Sequence, residues 1–343
     1  MQYHTGCDAH KQSCILHHMS DDGAHGLHMK VDTKKQSIYH FLEQLDAPTT
    51  MTLEAGNSWW HLYHLFNDHP LVSEVNVVDP RRSRKISEEL SVQSGYGRAS
   101  NDHIDSEMLA ELRRRNLTPA IQIPTPEQME IRTINRFRLD SVIGGTRAKN
   151  KTHALLIFHG ASARINDLLE KSDTYEKIKK QLPEYVFFVI DQLLERIITS
   201  AQQIELCESK LDRLLPESDP NMSIILSHPG IGIVFARTIH SEIWDIAYFK
   251  EPKNLISYSG LAPVECESAG RKKGKIRLNR HCNYYLKYAF VSAANSSRNH
   301  PKYRRKYDLD VKKHGKMIAK LNLARRIVKN IYWMLTRQQY YQA

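Results

Sequence analysis

Short runs of alternating apolar and polar residues open the chain and predict β-strands. The expected strands cover residues 2–8, 12–19 and 26–32, with the turn "SDDGAHG" between the second and the third. A helix is predicted over 34–45. Next come a strand in "TMTLEAG" that ends at Glu54, a helix in "SWWHLYHLFNDH", and a strand in "SEVNVVDP" that Pro80 stops. A further helix over about 102–115 carries Ile104, Met108, Leu109 and Leu112 on one face.

Three strands followed by alternating helices and strands is the element order of a ribonuclease H-like, or RuvC-like, domain. We therefore predict an α/β domain over residues 1–125, followed by a part of the chain that is almost entirely helical.

The middle of the chain, residues 126–220, reads as a helical connector. Long helices are expected over 129–160, where Gly144-Gly145 offers a point at which the helix can break, and over 186–215. Apolar residues in the second helix stand near seven-residue spacing: Val189, Leu193, Ile197, Ile204 and Leu211. This spacing fits an antiparallel coiled-coil hairpin or a stalk that dimerises. It fits a bundle helix with one solvated face equally well.

A third, mostly helical domain is predicted over residues 221–343, with helices at 252–258, 280–296 and 315–338. It begins with the turn Pro229-Gly230-Ile231-Gly232, which precedes an apolar helix. This turn resembles a helix-hairpin-helix turn. The free backbone N–H groups of such a turn can bind a phosphate, although a plain helix connector uses the same residues.

The net charge is distributed very unevenly along the 343 residues. Residues 271–343 hold 20 lysines and arginines against two acids, a net charge of +18, whereas residues 1–270 carry −7 of the overall +11. We infer that the C-terminal quarter meets a polyanion. Nucleic acid is favoured over a membrane surface, because no amphipathic Trp/Leu stripe accompanies the basic residues.

Three further observations limit the class of protein. The chain has no apolar run of membrane-spanning length and no secretory leader, so we expect a cytoplasmic, nucleoid-associated protein without a membrane partner. Its five scattered cysteines fit reduced thiols better than disulfides or a zinc site. Six histidines crowd the first 28 residues, but their irregular spacing argues against a metal site.

Four acids form the first candidate catalytic group. Asp8 and Glu54 close strands whose ends are adjacent in a ribonuclease H-like sheet, and Asp102 and Asp105 share one helix face. Four neighbouring carboxylates repel one another unless cations neutralise them. All-oxygen ligands select Mg²⁺, or Mn²⁺, for phosphodiester cleavage. Each acid also has an ordinary explanation as a turn cap, a strand-end charge or a helix N-cap.

The second candidate group surrounds Ser268. The basic residues after it would hold a scissile phosphate, and Gly270 would allow close backbone approach. The predicted nucleic-acid contacts are Gly230, Gly232, Gly270, Arg271, Lys272, Lys273, Lys275, Arg277 and Arg280. On local sequence alone, a phosphate-binding loop with an incidental serine explains this stretch better than a nucleophile does.

The motifs together resemble the DEDD transposases of the insertion sequence 110 family over almost the whole chain. "GCDAHK", "LEAG" and "NDHIDSEMLAEL" resemble the family's acidic motifs. "HPGIGIVFARTI", "SAGRKKGKIRLNRHCNYYLKYAFVSAA" and "LARRIVKNIYWML" follow in the order of its C-terminal domain.

The resemblance implies a RuvC-like domain in which Asp8, Glu54, Asp102 and Asp105 hold divalent metal. It implies that Ser268 attacks double-stranded donor and target DNA to form a 5′-phosphoserine intermediate. It also implies a homo-oligomer guided by a structured RNA from the element. The alternatives are a RuvC-like junction nuclease in which water attacks, and a nucleic-acid-binding protein without catalysis.

We expect DNA or RNA binding to be strongly salt-dependent, because each phosphate contact releases counterions. With roughly 6–10 contacts, affinity falls about 10³–10⁵-fold between 50 and 200 mM salt. Fluorescence anisotropy with a labelled duplex across that range measures the slope, and a flat response contradicts the role assigned to residues 271–343.

Overall fold

A computed structural model describes residues 2–93, 102–264, 267–268, 271–272, 277–279 and 282–342. The chain divides into two compact units, Met1–Ile123 and Pro124–Ala343. Within the described residues, no helix combines the length and the apolar character needed to cross a membrane.

The first unit is a mixed sheet with helices. Its strands are β1 (Tyr3–Ala9), β2 (Ser13–Ser20), β3 (His25–Asp32), β4 (Thr49–Glu54) and β5 (Val72–Val78). Its helices are α1 (Lys35–Leu42), α2 (Trp59–Asn67), α3 (Pro80–Gln93) and α4 (Asp102–Arg114). The strand order is β3-β2-β1-β4-β5, in which β1, β2 and β3 are antiparallel neighbours and β4 and β5 run parallel to β1. The predicted sequence of strands is confirmed.

Helices cover both faces of this sheet. On one face, apolar residues of α1 and α2 pack with strand residues such as Cys7, Leu16 and Leu53. On the other face lies α4, close to β1 at Gly6. A Cβ atom on residue 6 would stand 1.9 Å from the Ser106 carbonyl oxygen and 2.6 Å from the Ala110 nitrogen. The absence of a side chain at position 6 therefore lets the helix backbone rest on the strand.

Pro80 ends a strand, as predicted, but it also begins α3, which sequence reasoning missed. Asp79 caps this helix: its Oδ1 accepts hydrogen bonds from the backbone N–H groups of Arg81 at 2.9 Å and Arg82 at 3.1 Å. Proline suits the first helical position because its missing N–H has no intrahelical partner there.

The second unit is mostly helical. Its helices are α5 (Pro126–Phe158), α6 (Ile165–Glu170), α7 (Ser172–Gln181), α8 (Glu184–Leu214), α9 (Pro220–Leu226), α10 (Ile233–Ile243), α11 (Pro252–Tyr258), α12 (Tyr284–Ser297), α13 (Pro301–His314) and α14 (Lys316–Arg337). Four two-residue strands stand between α11 and α12: β6 (Pro263–Val264), β7 (Glu267–Ser268), β8 (Arg271–Lys272) and β9 (Arg277–Leu278). The predicted division of this part of the chain at residue 220 stays a prediction.

Helices α5 and α8 pack against each other in antiparallel directions, so the hairpin arrangement is formed within one chain. Lys210 pairs with Glu130 near one end, whereas Leu156 and Val186 share a core near the other. The expected break at Gly144-Gly145 was wrong, because α5 is continuous there. A Cβ at Gly145 would approach the Ser200 Cβ to 3.2 Å, so this glycine serves close helix contact instead.

Helices α9 to α14 surround one apolar core, with residues such as Ile239, Phe290 and Ile327 buried in it. Helices α6 and α7 instead contribute to the core that Leu156 and Val186 share. The helix predicted over 280–296 begins at Tyr284, where the Asn283 side chain accepts a hydrogen bond from the Leu286 N–H at 3.0 Å. Helix α13 was not predicted, and Pro301 occupies its first turn.

We expect Gly6→Ala to lower the free energy of unfolding by about 1–3 kcal/mol, the usual cost of overpacking, because α4 must move away from β1. Gly56→Ala is the matched control, since a Cβ there would meet only the Glu54 carbonyl oxygen at 4.0 Å. Urea titration followed by circular dichroism compares the two variants. Equal stability of both would contradict the close packing of α4 on residue 6.

Candidate active site

Asp8 and Glu54 lie side by side at one edge of the first unit's sheet. In the parallel ladder between β1 and β4, Cys7 is opposite Leu53, so the next residues on the two strands are Asp8 and Glu54. Cys7 and Leu53 belong to the core on the α1 and α2 side, and side chains alternate along a strand. Both acids therefore face α4.

Asp105, on α4, is the third acid that reaches this edge. Its charge and that of Asp8 both act on Glu54. Asp102 begins α4. Its side chain lies outside the described part of the structure, so its place beside the other three stays a prediction.

Glu54 carries the clearest sign that like charges are gathered here. Burial raises the pKa of its carboxyl group, and the negative charges of Asp8 and Asp105 raise that pKa further. A hydrogen bond donated by the Ser83 hydroxyl to Glu54 Oε1, at 2.6 Å, and the more distant charge of Arg84 oppose this rise. Ionised Glu54 is thus only partly compensated by the protein.

Ser83 is a site residue that sequence reasoning missed. It lies in the first turn of α3 and is 1% exposed. The signal was present in the sequence, because a helix that starts at Pro80 directly after β5 must place its first turn near the ends of the neighbouring parallel strands.

The three acids have the chemistry of a site for a hard divalent cation. All their ligand atoms are carboxylate oxygens, which Mg²⁺ and Mn²⁺ prefer. Asp8 also lies 3.3 Å from the Nε2 atom of His10. Among the described side chains, however, these acids do not form a group whose ligand atoms all lie within 4.8 Å of one another. The residues fit such a cation in chemistry, and binding requires the carboxylates to draw closer together.

Ser268 lies in a small antiparallel ladder of the second unit. It is opposite Arg271 in the pairing of β7 with β8, and a second ladder pairs β6 with β9. The structure describes the backbone of Ser268, Arg271, Lys272 and Arg277, but not their side chains. Gly270, Lys273, Lys275 and Arg280 lie outside the described residues.

The chain segments that lead into and out of these ladders are fixed together. Gly260 has φ +64°, and a Cβ there would meet the Cys282 Sγ at 2.3 Å. The Asn283 N–H donates to the Tyr258 carbonyl oxygen at 2.8 Å, and Arg325 Nε donates to the Leu261 carbonyl oxygen at 2.7 Å. Both ends of the serine segment are therefore anchored to the helical core.

A buried carboxylate strengthens this anchor. Glu242 is 2% exposed and accepts two hydrogen bonds from the Arg136 guanidinium, at 2.7 and 2.8 Å. It also accepts one from Asn283 Nδ2 at 2.7 Å, and Arg132 lies 3.6 Å away. This network ties α5 and α10 to the start of α12.

The two glycines of the Pro-Gly-Ile-Gly turn differ in their surroundings. Gly230 has φ +86°, and a Cβ there would meet Ser297 Oγ at 2.2 Å, so this glycine is needed for close packing on α12. Gly232 stands before the first residue of α10, and a Cβ there would meet nothing within 4 Å. Of the two, Gly232 has the open surroundings that a phosphate contact needs.

Comparison with known families agrees with this two-part arrangement. A model described as "Transposase IS116/IS110/IS902 family" matches residues 222–308, and a transposase model of the DEDD type for insertion sequence 110 matches residues 5–159. The chain belongs to the insertion sequence 110 family of transposases. The first match includes Ser268 and the Pro-Gly-Ile-Gly turn, and the second includes all four acids.

Individual relatives are distant and are covered in part. A transposase for insertion sequence element IS1328 of Yersinia enterocolitica is 25% identical over 171 residues, which are 50% of this transposase and 51% of that protein. An insertion element IS116 uncharacterized 44.8 kDa protein of Streptomyces clavuligerus is 32% identical over 36% of this chain and 31% of its own length. A transposase for insertion sequence element IS1111A of Coxiella burnetii is 23% identical over 71% of this chain and 68% of its own length. The first of these relatives is thus matched over about half its length.

We expect Glu54→Gln to stabilise the protein at neutral pH in the absence of divalent cations. Because the folded-state pKa of Glu54 is raised, the stability that this group contributes is present below its ordinary pKa of 4.5 and is lost as the pH rises through the raised value. Glutamine stays neutral, so the variant should unfold at higher urea concentration than the wild type at pH 7.5, and the difference should disappear near pH 4.

The exposed Glu88 of α3 supplies the control, because Glu88→Gln removes a charge without relieving a crowded site. A Glu54→Gln variant that is less stable than the wild type at both pH values would show that the Ser83 hydrogen bond outweighs the repulsion.

Proposed function

We propose that this transposase is an RNA-guided recombinase that cleaves and exchanges strands of double-stranded DNA with a serine nucleophile and a divalent-metal site. The observation that carries the proposal is the convergence of Asp8, Glu54 and Asp105 at one sheet edge, in a chain whose family acts in transposition. The strand order and the position of α4 support a RuvC-like assignment for the first unit.

Asp8, Glu54, Asp105 and the predicted fourth ligand, Asp102, would hold Mg²⁺, or Mn²⁺. Bound divalent cations would neutralise the carboxylates and stabilise negative charge on a phosphate. The raised pKa of Glu54 supports this assignment, because burial and the charges of Asp8 and Asp105 disfavour its ionised form, and a bound cation would favour that form. Ser83 holds Glu54 in place, and His10 lies within reach of Asp8.

Ser268 would act on the DNA backbone. Its Oγ attacks the phosphorus atom and forms a phosphoserine ester with the 5′-phosphate, while the bond from phosphorus to the 3′ oxygen breaks. The proton lost by the serine hydroxyl is balanced by the proton that the departing oxygen gains, which leaves a 3′-hydroxyl. That hydroxyl can later attack a second phosphoserine linkage, which joins exchanged strands and regenerates the serine.

Basic residues around Ser268 would hold the phosphate. Arg271 is directly opposite Ser268 in the backbone pairing, which supports its role as a phosphate contact. The other proposed contacts are Lys272, Lys273, Lys275, Arg277 and Arg280, with Gly270 allowing close approach and Gly232 offering a backbone N–H at α10. The net charge of +18 over residues 271–343 supports a nucleic-acid partner in the nucleoid.

A guide RNA and self-association complete the proposal. In guided systems, base pairing selects the sequence and the protein contacts shape and backbone. Self-association is supported by large apolar side chains that are exposed on the α5 and α8 hairpin, among them Phe158 at 83%, Leu206 at 71% and Phe188 at 65%.

The decisive experiment is to trap the covalent intermediate. The full chain is incubated with Mg²⁺, the RNA transcribed beside its gene, and end-labelled donor and target duplexes, and is then denatured. We expect a protein–DNA adduct that Ser268→Ala abolishes. We expect Asp105→Asn to lower its yield on the order of 10²–10³-fold, the usual loss when one electrostatic stabiliser is removed.

Ser296→Ala is the matched control, because this exposed α12 serine bonds only to its own helix, at the Ser292 carbonyl oxygen. Cleavage without any adduct would favour a nuclease in which water attacks. Binding with neither cleavage nor adduct would favour a non-catalytic nucleic-acid-binding protein. An adduct of equal yield without RNA would remove guidance from the proposal but leave the serine chemistry.

A further inference from the structure

A group of three side chains on the first unit is separate from the acidic site. His17, His25 and Glu107 each offer one ligand atom, and these three atoms lie within 4.8 Å of one another; no other such group of three or more occurs among the described side chains. His17 Nε2 is 3.0 Å from His25 Nδ1, and His25 Nε2 is 3.9 Å from Glu107 Oε1. The three residues come from β2, β3 and α4.

The fold explains why these residues meet. His17 is opposite Gly6 in the pairing of β1 with β2, so its ring lies on the sheet face that α4 covers. His28 is opposite His17 in the β2–β3 pairing, and an irregularity between His17 and Met19 places His25 opposite Met19. His25 is thereby on the same sheet face as His17, whereas a regular register would place it opposite Ser20 on the other face. Irregularities of this type re-aim side chains next to functional sites.

Two imidazoles and one carboxylate are a ligand set of catalytic zinc sites, in which water or substrate takes the fourth position. A tetrahedral ion with bonds of about 2.0–2.1 Å holds neighbouring ligand atoms roughly 3.3 Å apart. The three ligand atoms lie within 4.8 Å of one another, so side-chain rotations that shorten their longest separation by at most about 1.5 Å reach that spacing. We propose that His17, His25 and Glu107 bind a transition-metal ion of the Zn²⁺ type.

The surroundings of the three residues support binding. His17 is 5% exposed, and its Nδ1 atom has no hydrogen-bond partner among the described residues, although buried ring nitrogens are normally satisfied. The His25 and Glu107 side chains are 57% and 39% exposed, which gives an ion access from solvent.

The ion would join the β2–β3 hairpin to α4. Glu107 and Asp105 lie two residues apart on that helix, so their side chains leave it on opposite sides. Metal binding at Glu107 would therefore hold the helix that presents Asp105 to the acidic site. The two sites would not compete for ions, because imidazole ligands favour Zn²⁺ and carboxylate oxygens alone favour Mg²⁺. Binding at the histidine site does not depend on the proposed recombinase activity.

The test uses the full chain, stripped of metal with a chelator and then titrated with Co²⁺ in the presence of excess Mg²⁺, which competes for sites made of carboxylate oxygens. We expect one tight Co²⁺ site with the visible absorption of a tetrahedral ion, which Zn²⁺ displaces. His25→Ala and Glu107→Ala should each weaken Co²⁺ binding at least tenfold, since even an outer-shell change costs about 10–100-fold in metal affinity.

Both substitutions are at partly exposed side chains, so circular dichroism should show the same fold as in the wild type. His17→Ala is less suitable, because its ring is buried and its loss can disturb the fold. His40→Ala, at an exposed histidine in α1 of the same unit, is the matched control and should bind like the wild type. Wild-type Co²⁺ affinity in a folded His25→Ala or Glu107→Ala variant overturns the proposal, as does equal loss in His40→Ala.

Discussion

The contact between α4 and β1 at Gly6 is the constraint on which the first unit depends. A helix normally stands off from a sheet by the thickness of its side chains, but here the Ser106 carbonyl and the Ala110 N–H approach the strand at the place where a Cβ would be. This close approach allows short acidic side chains on both flanks of the helix to reach sheet residues. Asp105 reaches the Glu54 edge on one flank, and Glu107 reaches the histidines on the other.

Gathering acids at the Glu54 edge costs stability, and the protein compensates only in part. Glu54 is half-buried, it feels two other negative charges, and its closest polar partner is a hydroxyl. A chain selected for stability alone would place an apolar residue or a cation here. Local conflict of this kind inside an otherwise consistent fold is typical of functional sites. The stability lost at this edge is offset by the well-packed apolar core on the α1 and α2 side of the sheet.

Much of the fold followed from periodicity and turn chemistry, because strand alternation and helix caps are local. The five strands of the first unit, α4 and the two long helices α5 and α8 were predicted from such local patterns. Two features were not accessible because they depend on distant residues. Gly145 reads as a break until Ser200 is seen against it, and the pair His17 and His25 has no ligand spacing until the β2–β3 irregularity brings the rings together. Ser83 has no local motif, but its position follows from the start of α3 directly after β5.

The prediction for the acids was better founded than the prediction for the serine. Strand ends in a parallel sheet must share an edge, so Asp8 and Glu54 are neighbours for a topological reason. No similar rule fixes Ser268, whose assignment depends on the family resemblance and on the basic residues that follow it. The structure adds the backbone pairing with Arg271 and the anchored ends of the segment.

A comparison of Glu242 with Glu54 shows how the charges of this chain are assigned. Glu242 is enclosed by Arg136, Arg132 and Asn283, so its charge is already satisfied and its role is to hold α5, α10 and α12 together. Among the described side chains, no lysine or arginine lies within 4.0 Å of the Glu54 carboxylate, which has Ser83 instead. A carboxylate that the protein leaves without a close cation, beside two others, is the one that a bound ion would stabilise most. The same comparison therefore separates a glutamate whose charge the surrounding residues satisfy from one whose charge they satisfy only in part.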